Sequence, residues 1–505
     1  MSYAKVLAAG LAGVRGHLVE VEADLANGLP LVVLSGLPDS ALNEARDRVR
    51  AAIVNSGEAW PNRRITINLL PASLPKHGSG FDLAVACAVL AGAGQLPLAA
   101  LEGTLMIGEL GLDGSVRPVR GVLPMVLAAH HAGIRRVVVP HPNAAEAALI
   151  PGIEVRSTDT LRRLVGFVRG HDRLLAPPAG PPVPEPPGPD LAEVVGQPAG
   201  RWALEVAAAG GHHLSMVGPP GAGKTLLAYR LPSILPELDD EAALEVTALH
   251  SVAGLLAPGS PLRRRPPLQA PHHSASLPAL VGGGSGLARP GAVSLAHRGV
   301  LFLDEAPEYA PRTLEALRQP LEDGRVVLQR SHGETTFPAR FQLVLAANPC
   351  PCAKPAGDQA CECPSVVRRR YLGRLSGPLL DRVDIQIRLQ SVSAADLLGG
   401  GDGEPSATVA ERVAKARAAA ASRWAEHGWR CNADVSAAVL QSGRYRLPAA
   451  VVAPARHLLD SGLLSARGFH RVLRISWTIA DLAGRSRPDS GDVGAATDLR
   501  RGELS

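Results

Sequence analysis

The chain has 505 residues, of which 46% are apolar, 20% charged and only 3% aromatic, and its formal net charge is +5. This length exceeds what one hydrophobic core supports, so roughly two to four domains are expected, and so few aromatic side chains argue against a base-stacking platform. No apolar stretch reaches the roughly 18–20 residues of a membrane span, and the N-terminus lacks a signal-peptide pattern, so we expect a cytoplasmic protein.

The N-terminal segment, residues 1–175, mixes short apolar runs with helical patterns and predicts an α+β domain. Residues 31–34, 65–69 and 137–139 are typical of strands, and residues 40–56 are typical of a helix. Asp82 precedes the apolar helix 83–91 and is expected to cap it. Residues 176–189 are rich in proline, which favours an extended spacer, and predict a linker.

Residues 218–225 fit the pattern G-x-x-x-x-G-K-[ST] of a P-loop, between a predicted strand at 213–217 and a predicted helix from 224. Glycines let the backbone N–H groups turn toward a triphosphate at a helix N-terminus. Lys224 would neutralise the β- and γ-phosphates, and the Thr225 hydroxyl would bind Mg²⁺. The loop consists of Gly218, Pro219, Pro220, Gly221, Ala222, Gly223, Lys224 and Thr225.

Two more apolar strands end in polar residues that suit ATP hydrolysis. Asp304 follows the strand 299–303 and can hold Mg²⁺, and Glu305 can deprotonate the attacking water. Asn348 follows the strand 341–347, in a layout similar to that of AAA+ ATPases, where such an Asn positions the water. The alternatives are a helix cap for the acidic pair and a turn before Pro349 for Asn348.

Arginines near the C-terminus are candidates for a role at the nucleotide. Arg382 could neutralise a neighbouring subunit's γ-phosphate, or could form an ion pair with Asp381 or Asp384. Arg471 and Arg474 share one predicted helix face with Arg467, and that face could reach the nucleotide of the same subunit or form a solvated basic stripe.

Four of the six cysteines are close together, as Cys350, Cys352, Cys361 and Cys363. In a reducing compartment, four thiols at this density suit a tetrahedral structural Zn²⁺, and the alternative is four unliganded cysteines. A glycine-rich stretch at 399–406 precedes an Ala- and Arg-rich helical region. We therefore expect an ATPase core over 190–395 and a helical lid over 396–505.

Several long strings, taken with the P-loop, make the chain resemble the ComM/YifB family of Mg-chelatase-like AAA+ ATPases over nearly its whole length. These strings are Pro-His-His-Ser-Ala-Ser at 271–276, Val-Gly-Gly-Gly at 281–284, the segment 290–305, Asn-Pro-Cys-Pro-Cys at 348–352, Arg-Tyr at 370–371 and the segment 376–385. The resemblance implies a multidomain α/β fold: a Lon-protease-like α+β domain, an AAA+ core with a helix-2 insert at about 269–292, and the helical lid.

The resemblance also implies a homo-hexameric ring that uses ATP and Mg²⁺. Arg382 would be the arginine finger in trans, and Arg471 or Arg474 would be sensor 2. A hairpin before the Asn348 strand would project toward the pore, with Arg330 and His332 as candidate DNA contacts; an ordinary exposed hairpin tip is the alternative. The Lon-type serine position corresponds to Gly80, with Ser79 one residue out of register, and the lysine position corresponds to Leu123. A Ser/Lys dyad cannot form, so we expect no protease activity.

The function implied by the resemblance is an ATP-driven DNA helicase that promotes branch migration of recombination intermediates, including DNA taken up in natural transformation. Binding would be mostly to phosphates and therefore tolerant of sequence. The alternative is a Mg-chelatase-like ATPase that remodels a partner protein. An ATP-dependent protease is a third hypothesis, which the missing dyad disfavours.

Overall fold

The computed structural model describes residues 2–35, 39–71, 78–178, 188–257, 259–284, 288–330, 333–354, 361–392 and 403–503. The predicted linker lies mostly outside these ranges, as do residues 393–402 around the second predicted boundary. Among the helices described, none combines the length and the apolar character that crossing a membrane requires.

The N-terminal region is built on a seven-stranded mixed sheet in the order β3-β4-β2-β1-β5-β8-β9. Its strands are β1 Tyr3–Ala12, β2 Arg15–Ala26, β3 Leu31–Ser35, β4 Arg64–Leu70, β5 Thr104–Met106, β8 Arg136–Pro140 and β9 Glu154–Thr158, with a separate ribbon of β6 Glu109–Leu110 and β7 Val116–Arg117. Its helices are α1 Asp39–Asn55, α2 Asp82–Gly92, α3 Val122–His131, α4 Ala144–Ala147 and α5 Leu161–Val168. The predicted strands at 31–34, 65–69 and 137–139 are confirmed as β3, β4 and β8.

Helices cover both faces of this sheet. Alternate residues of β1 and β2 pack against α2, which is buried along its whole length, while α3 and α4 pack on the other face. The expectation that Asp82 caps α2 is wrong. Phe81 is the N-cap, and the Asp82 carboxylate accepts hydrogen bonds from Arg48 Nε at 2.9 Å and from the Leu110 backbone N–H at 3.3 Å. A buried carboxylate needs hydrogen-bond partners, and Arg48 and the Leu110 N–H supply them to Asp82 in place of the first N–H groups of α2.

The central region is built on a five-stranded parallel sheet in the order β11-β14-β17-β10-β18. The strands are β10 Leu214–Val217, β11 Leu268–Gln269, β14 Val300–Leu303, β17 Gln342–Ala347 and β18 Ile385–Arg388, and two ribbons are formed by β12 Gly282–Gly283 with β13 Arg289–Pro290 and by β15 Arg325–Arg330 with β16 Gly333–Pro338. The helices are α6 Pro198–Gly210, α7 Lys224–Ile234, α8 Asp240–Ala253, α9 Leu277–Val281, α10 Ala292–Leu295, α11 Pro311–Glu315, α12 Arg318–Asp323, α13 Ser365–Leu372 and α14 Gly377–Leu380.

Both faces of the central strands are buried, which explains why they are continuous apolar runs rather than alternating ones. In β14, Val300 and Phe302 face one core, and Leu301 and Leu303 face another. The first core also contains the C-terminal helices, so the C-terminal region packs directly on the central sheet. Those helices are α15 Ser406–Trp424, α16 Ala437–Leu440, α17 Ala453–Asp460, α18 Ala466–Leu482 and α19 Ser490–Arg501.

The N-terminal region packs against α8 and the β15–β16 hairpin of the central region. Ala248 of α8 belongs to the same apolar core as α3, and Val14 packs against the buried cluster of Leu249, Ala288 and Phe337, the last of which is on the hairpin. The Gly121 N–H donates to the Ser251 carbonyl at 3.2 Å, and the Ser251 hydroxyl donates to Glu146. The two regions therefore share an interface that combines apolar packing with hydrogen bonds.

Candidate active site

The P-loop runs from the carboxyl end of β10 to the start of α7, as the sequence predicts. Gly221 and Gly223 have φ of +80° and +83°, a region that glycine enters without strain. At Gly218, an added Cβ would lie 2.7 Å from the Leu389 carbonyl oxygen, so a larger residue would displace the backbone. The loop therefore opens its N–H groups at a helix N-terminus, the geometry that suits phosphate.

Lys224 lies beneath this loop and is largely buried. Its ammonium donates to the carbonyls of Gly218 at 2.6 Å and Pro219 at 2.8 Å, and to Asn348 Oδ1 at 3.0 Å. Burial lowers the pKa of Lys224, and Asp304 and Glu305 act in the opposite direction. Asn348 reaches this position because β17 is the neighbour of β10 and ends at the same edge.

Asp304 follows β14 and joins the same group. The Thr225 hydroxyl donates to Asp304 Oδ2 at 2.8 Å, so two oxygen ligands of the kind that Mg²⁺ prefers lie together beside the P-loop. The other carboxylate oxygen accepts the Glu305 backbone N–H at 2.9 Å. Glu305 itself has a left-handed backbone with φ of +49°, an unusual conformation for this residue type and one found at active sites.

His273 contacts Glu305, a relationship that the sequence did not reveal. Its Nδ1 lies 3.3 Å from Glu305 Oε2, and its ring lies 4.0 Å from that of His272. Tyr309 holds the segment in place through a hydrogen bond from its hydroxyl to the Pro271 carbonyl. The Pro-His-His string was part of the family resemblance, but only the fold brings it to the acidic pair.

These residues fit ATP with Mg²⁺. The backbone N–H groups of the loop and the Lys224 ammonium suit phosphate oxygens, and the Thr225 and Asp304 oxygens suit the metal. Glu305 and Asn348 lie at the edge where the γ-phosphate would end. The arrangement can bind a nucleoside triphosphate and direct a water molecule at it.

Arg382 lies near the other edge of the central sheet, after α14 and shortly before β18 begins. Its guanidinium pairs with Glu322 and donates to the Pro378 carbonyl at 2.6 Å, while its Nε has no partner among the described residues. Neither Asp381 nor Asp384 is its ion-pair partner in the described part of the chain, which disfavours that alternative. Arg382 lines a cavity of about 450 Å³ with residues of α9, α11, α12 and β15.

Arg471 and Arg474, both on α18, also lie at this amino edge. Arg471 pairs with Asp384, which immediately precedes β18. Burial opposes ionisation of Asp384, but Arg471 and His212 hold the pKa of its carboxyl well below the usual range. Burial lowers the pKa of Arg474, whose Nε lacks a partner among the described residues. The structure therefore does not bring these arginines to the P-loop of their own chain, which the sequence had left open.

The four cysteines form one cluster. Their Sγ atoms all lie within 4.8 Å of one another, with Cys350 and Cys352 at 2.8 Å and Cys352 and Cys361 at 3.7 Å. Tetrahedral Zn²⁺ with bonds of about 2.3 Å separates its sulfur ligands by about 3.8 Å, so the cluster fits zinc after small adjustments. The cluster joins the end of β17 to the start of α13.

Two further groups of residues were predicted, in the hairpin and in the N-terminal region. The side chain of Arg330 and the whole of His332 lie outside the described residues, although the predicted hairpin is present as β15 and β16. In the N-terminal region, Ser79 donates its hydroxyl hydrogen to Glu109, and Leu123 is buried in α3.

Three family models together match most of the chain. Residues 190–397 match "Magnesium chelatase, subunit ChlI", residues 21–143 match "Subunit ChlI of Mg-chelatase", and residues 403–500 match "Magnesium chelatase, subunit ChlI C-terminal". The first match contains the P-loop, Asp304, Glu305, Asn348 and the cysteine cluster.

Similar proteins extend over nearly the full length. An uncharacterized protein of Mycobacterium tuberculosis is 54% identical over 99% of both chains. "Competence protein ComM" of Haemophilus influenzae is 41% identical over 96% of this chain and 95% of its own, and "Uncharacterized protein YifB" of Escherichia coli is 40% identical over 93% and 91%. A Lon protease of Salinispora arenicola is 29% identical over 31% of this chain and 21% of its own length.

Proposed function

The chain belongs to the ComM/YifB family of Mg-chelatase-like AAA+ ATPases, and we propose that it is an ATP-hydrolysing ring motor that moves along DNA. The observation that carries the proposal is the convergence of Lys224, Thr225, Asp304, Glu305 and Asn348 at the carboxyl edge of one parallel sheet. Three separate strands supply these residues, and no structural requirement of the sheet needs all five.

In the proposed reaction, the N–H groups of the P-loop and the Lys224 ammonium hold the β- and γ-phosphates. Thr225 and Asp304 would hold Mg²⁺, which neutralises charge on the transferred phosphoryl group. Glu305 accepts a proton from the attacking water, and Asn348 orients that water with its amide. The contact between Lys224 and Asn348 supports these roles because it places the amide beside the phosphate site.

Completion of the site requires a second copy of the chain. Arg382, Arg471 and Arg474 lie at the amino edge, away from their own P-loop, and each carries a buried Nε without a partner among the described residues. A head-to-tail ring places this edge of one copy against the carboxyl edge of the next. We propose that Arg382 is the arginine finger in trans, and that Arg471 or Arg474 is sensor 2 for the neighbouring copy's nucleotide in a hexamer.

The proposed zinc site has a structural role. Zn²⁺ would be held by Cys350, Cys352, Cys361 and Cys363, and it would fix the chain between Asn348 and α13.

The proposed role on DNA is supported by the name of the Haemophilus relative, a competence protein, and by the β15–β16 hairpin. We propose Arg330 and His332 of that hairpin as contacts to the DNA backbone. Branch migration of recombination intermediates is the activity that we propose for the ring.

The test is ATP hydrolysis by the purified protein without DNA, with linear single- or double-stranded DNA, and with a synthetic four-way junction. Stimulation by DNA, highest on the junction, and junction unwinding that is lost in Lys224→Ala are the expected results. Robust hydrolysis that is indifferent to every DNA would overturn the DNA role. Such a result would favour remodelling of a partner protein. The three matching family models, which are described as magnesium chelatase subunits, support that alternative.

A further inference from the structure

Helix α13 carries three arginines, Arg368, Arg369 and Arg370, that have no counter-charge among the described residues. Residues 365–374 contain four arginines and no acidic residue. Arg369 and Arg370 are exposed, Arg368 is partly exposed, and none of the three has an ion pair or side-chain hydrogen bond within the described ranges. Most arginines of the C-terminal region are instead paired with a carboxylate. Examples are Arg412, which pairs with Glu205, and Arg423, which pairs with Asp481.

The position of α13 links this charge to the active site. At its start, α13 follows Cys363 of the cysteine cluster by two residues. After its end, Arg374 donates to the Pro307 carbonyl at 3.0 Å and lies 3.3 Å from the Glu308 carboxylate. Pro307 and Glu308 belong to the single turn Ala306–Glu308 that follows Glu305 directly.

Tyr371 fixes the helix between these two attachments. Tyr371 is the one residue of α13 that is buried. Burial raises the pKa of Tyr371 to about 12, and Glu308 and Glu305 act in the same direction, so the phenol stays neutral. Arg374 therefore connects the end of α13 to the turn that directly follows Glu305.

We propose that α13 binds the phosphates of DNA through Arg369 and Arg370, and that Arg374 transmits this contact to Glu305. The inference rests on the proposed DNA motor and names a second DNA-binding element besides the hairpin. Arginine is suited to phosphate because its planar guanidinium donates two parallel hydrogen bonds. Three consecutive arginines point in directions about 100° apart around a helix, which suits a curved phosphate backbone better than one flat acidic protein surface.

The experiment uses the full-length protein and compares Arg369→Ala/Arg370→Ala with Arg50→Ala/Arg63→Ala. The control pair is also exposed and also lacks ion pairs among the described residues, but it lies on the N-terminal region. Binding to labelled DNA is measured by fluorescence anisotropy over a range of KCl concentrations. Loss of two phosphate contacts makes the negative slope of log K against log salt less steep, by about 1.8 on duplex DNA and about 1.4 on single-stranded DNA. The control pair keeps the wild-type slope.

Hydrolysis separates the possible outcomes. The α13 pair should keep the wild-type rate without DNA and lose stimulation by DNA. Wild-type salt slope and stimulation in the α13 pair would overturn the inference while leaving the motor intact. Loss of hydrolysis without DNA would also overturn it, because the arginines would then serve a neighbouring active site. If the wild-type protein itself neither binds DNA nor responds to it, the proposed function has failed.

Arg374 tests the transmission step. Arg374→Ala should bind DNA with the wild-type slope but lose most of the stimulation, because the link to Pro307 and Glu308 is gone. Arg374→Lys keeps a donor for the Pro307 carbonyl and should restore part of the stimulation. Equal stimulation in wild type and Arg374→Ala would contradict transmission through this residue.

Discussion

Arg471 on the C-terminal helix α18 pairs with Asp384 at the amino edge of the central sheet, while Lys224 lies at the opposite, carboxyl edge. The strand between the two edges has four residues, and a strand rises about 3.3 Å per residue, so the edges are separated by roughly 13 Å. One chain therefore carries the P-loop lysine and the proposed trans arginines on opposite edges of the sheet. This is the arrangement expected of a subunit that completes its neighbour.

Mixing two inactive variants tests this arrangement. Lys224→Ala lacks the phosphate-binding ammonium, and Arg382→Ala lacks the trans arginine, so each alone should hydrolyse almost no ATP. In an equal mixture, roughly a quarter of the interfaces of a head-to-tail ring combine an intact P-loop with an intact arginine, and activity should return to that fraction. Steady-state hydrolysis of the mixture is the measurement. A mixture as inactive as its components would mean that Arg382 serves its own chain.

Glu305→Gln should abolish hydrolysis but spare nucleotide binding. The amide cannot accept the proton of the attacking water, so the rate should fall by on the order of 10²- to 10⁴-fold, the usual contribution of a general base. Binding of a fluorescent ATP analogue should stay close to the wild-type affinity because Glu305 is not expected to contact the phosphates. Glu411→Gln, an exposed carboxylate on α15, is the control and should behave as wild type. A rate within tenfold of wild type would exclude Glu305 as the base.

The sequence predicted the carboxyl edge well because each of its residues follows a recognisable apolar strand. Strand and residue order alone place Asp304, Asn348 and the P-loop together once the sheet is parallel. The sequence could not predict that His273 contacts Glu305, because nothing in the Pro-His-His string indicates which carboxylate the histidine lies beside. Nor could it place Arg471 and Arg474, since helical periodicity fixes the face they share but not the edge of the sheet against which α18 packs.

Zinc at the cysteine cluster should be measurable as one metal ion per chain. Cys361→Ser should lose most of this zinc and lower the thermal unfolding midpoint, because the segment between Asn348 and α13 loses its anchor. Cys431→Ser, at a cysteine outside the cluster, should keep both the metal content and the midpoint. Metal analysis of the purified variants and thermal melts with and without a chelator provide the comparison. A zinc-free wild-type protein would contradict the assignment.

Stability should depend on pH through His250, which is buried in α8 with both ring nitrogens unpartnered among the described residues. Burial, and secondarily Arg263, lower its pKa to about 4. Below its ordinary pKa, the unfolded chain binds a proton that the folded chain does not, so this contribution to stability is lost as the pH falls from about 6.5 toward 4. Between pH 7 and pH 5 the wild type should lose about 2 kcal/mol more than His250→Leu. Urea unfolding at both pH values measures the difference, and equal losses would contradict it.

In the C-terminal region, the buried pair of Arg423 and Asp481 should dominate local stability. The Asp481 side chain is fully buried, and the Arg423 guanidinium lies 4.5 Å from the ring centre of Trp477. Asp481→Ala leaves this buried cation without its carboxylate and should cost about 3–5 kcal/mol. Asp460→Ala removes an exposed partner of Arg456 and should cost at most about 1 kcal/mol. Urea unfolding followed by tryptophan fluorescence measures the loss of unfolding free energy in each variant. Similar losses would contradict the prediction that the buried pair stabilises the C-terminal region more than the exposed pair does.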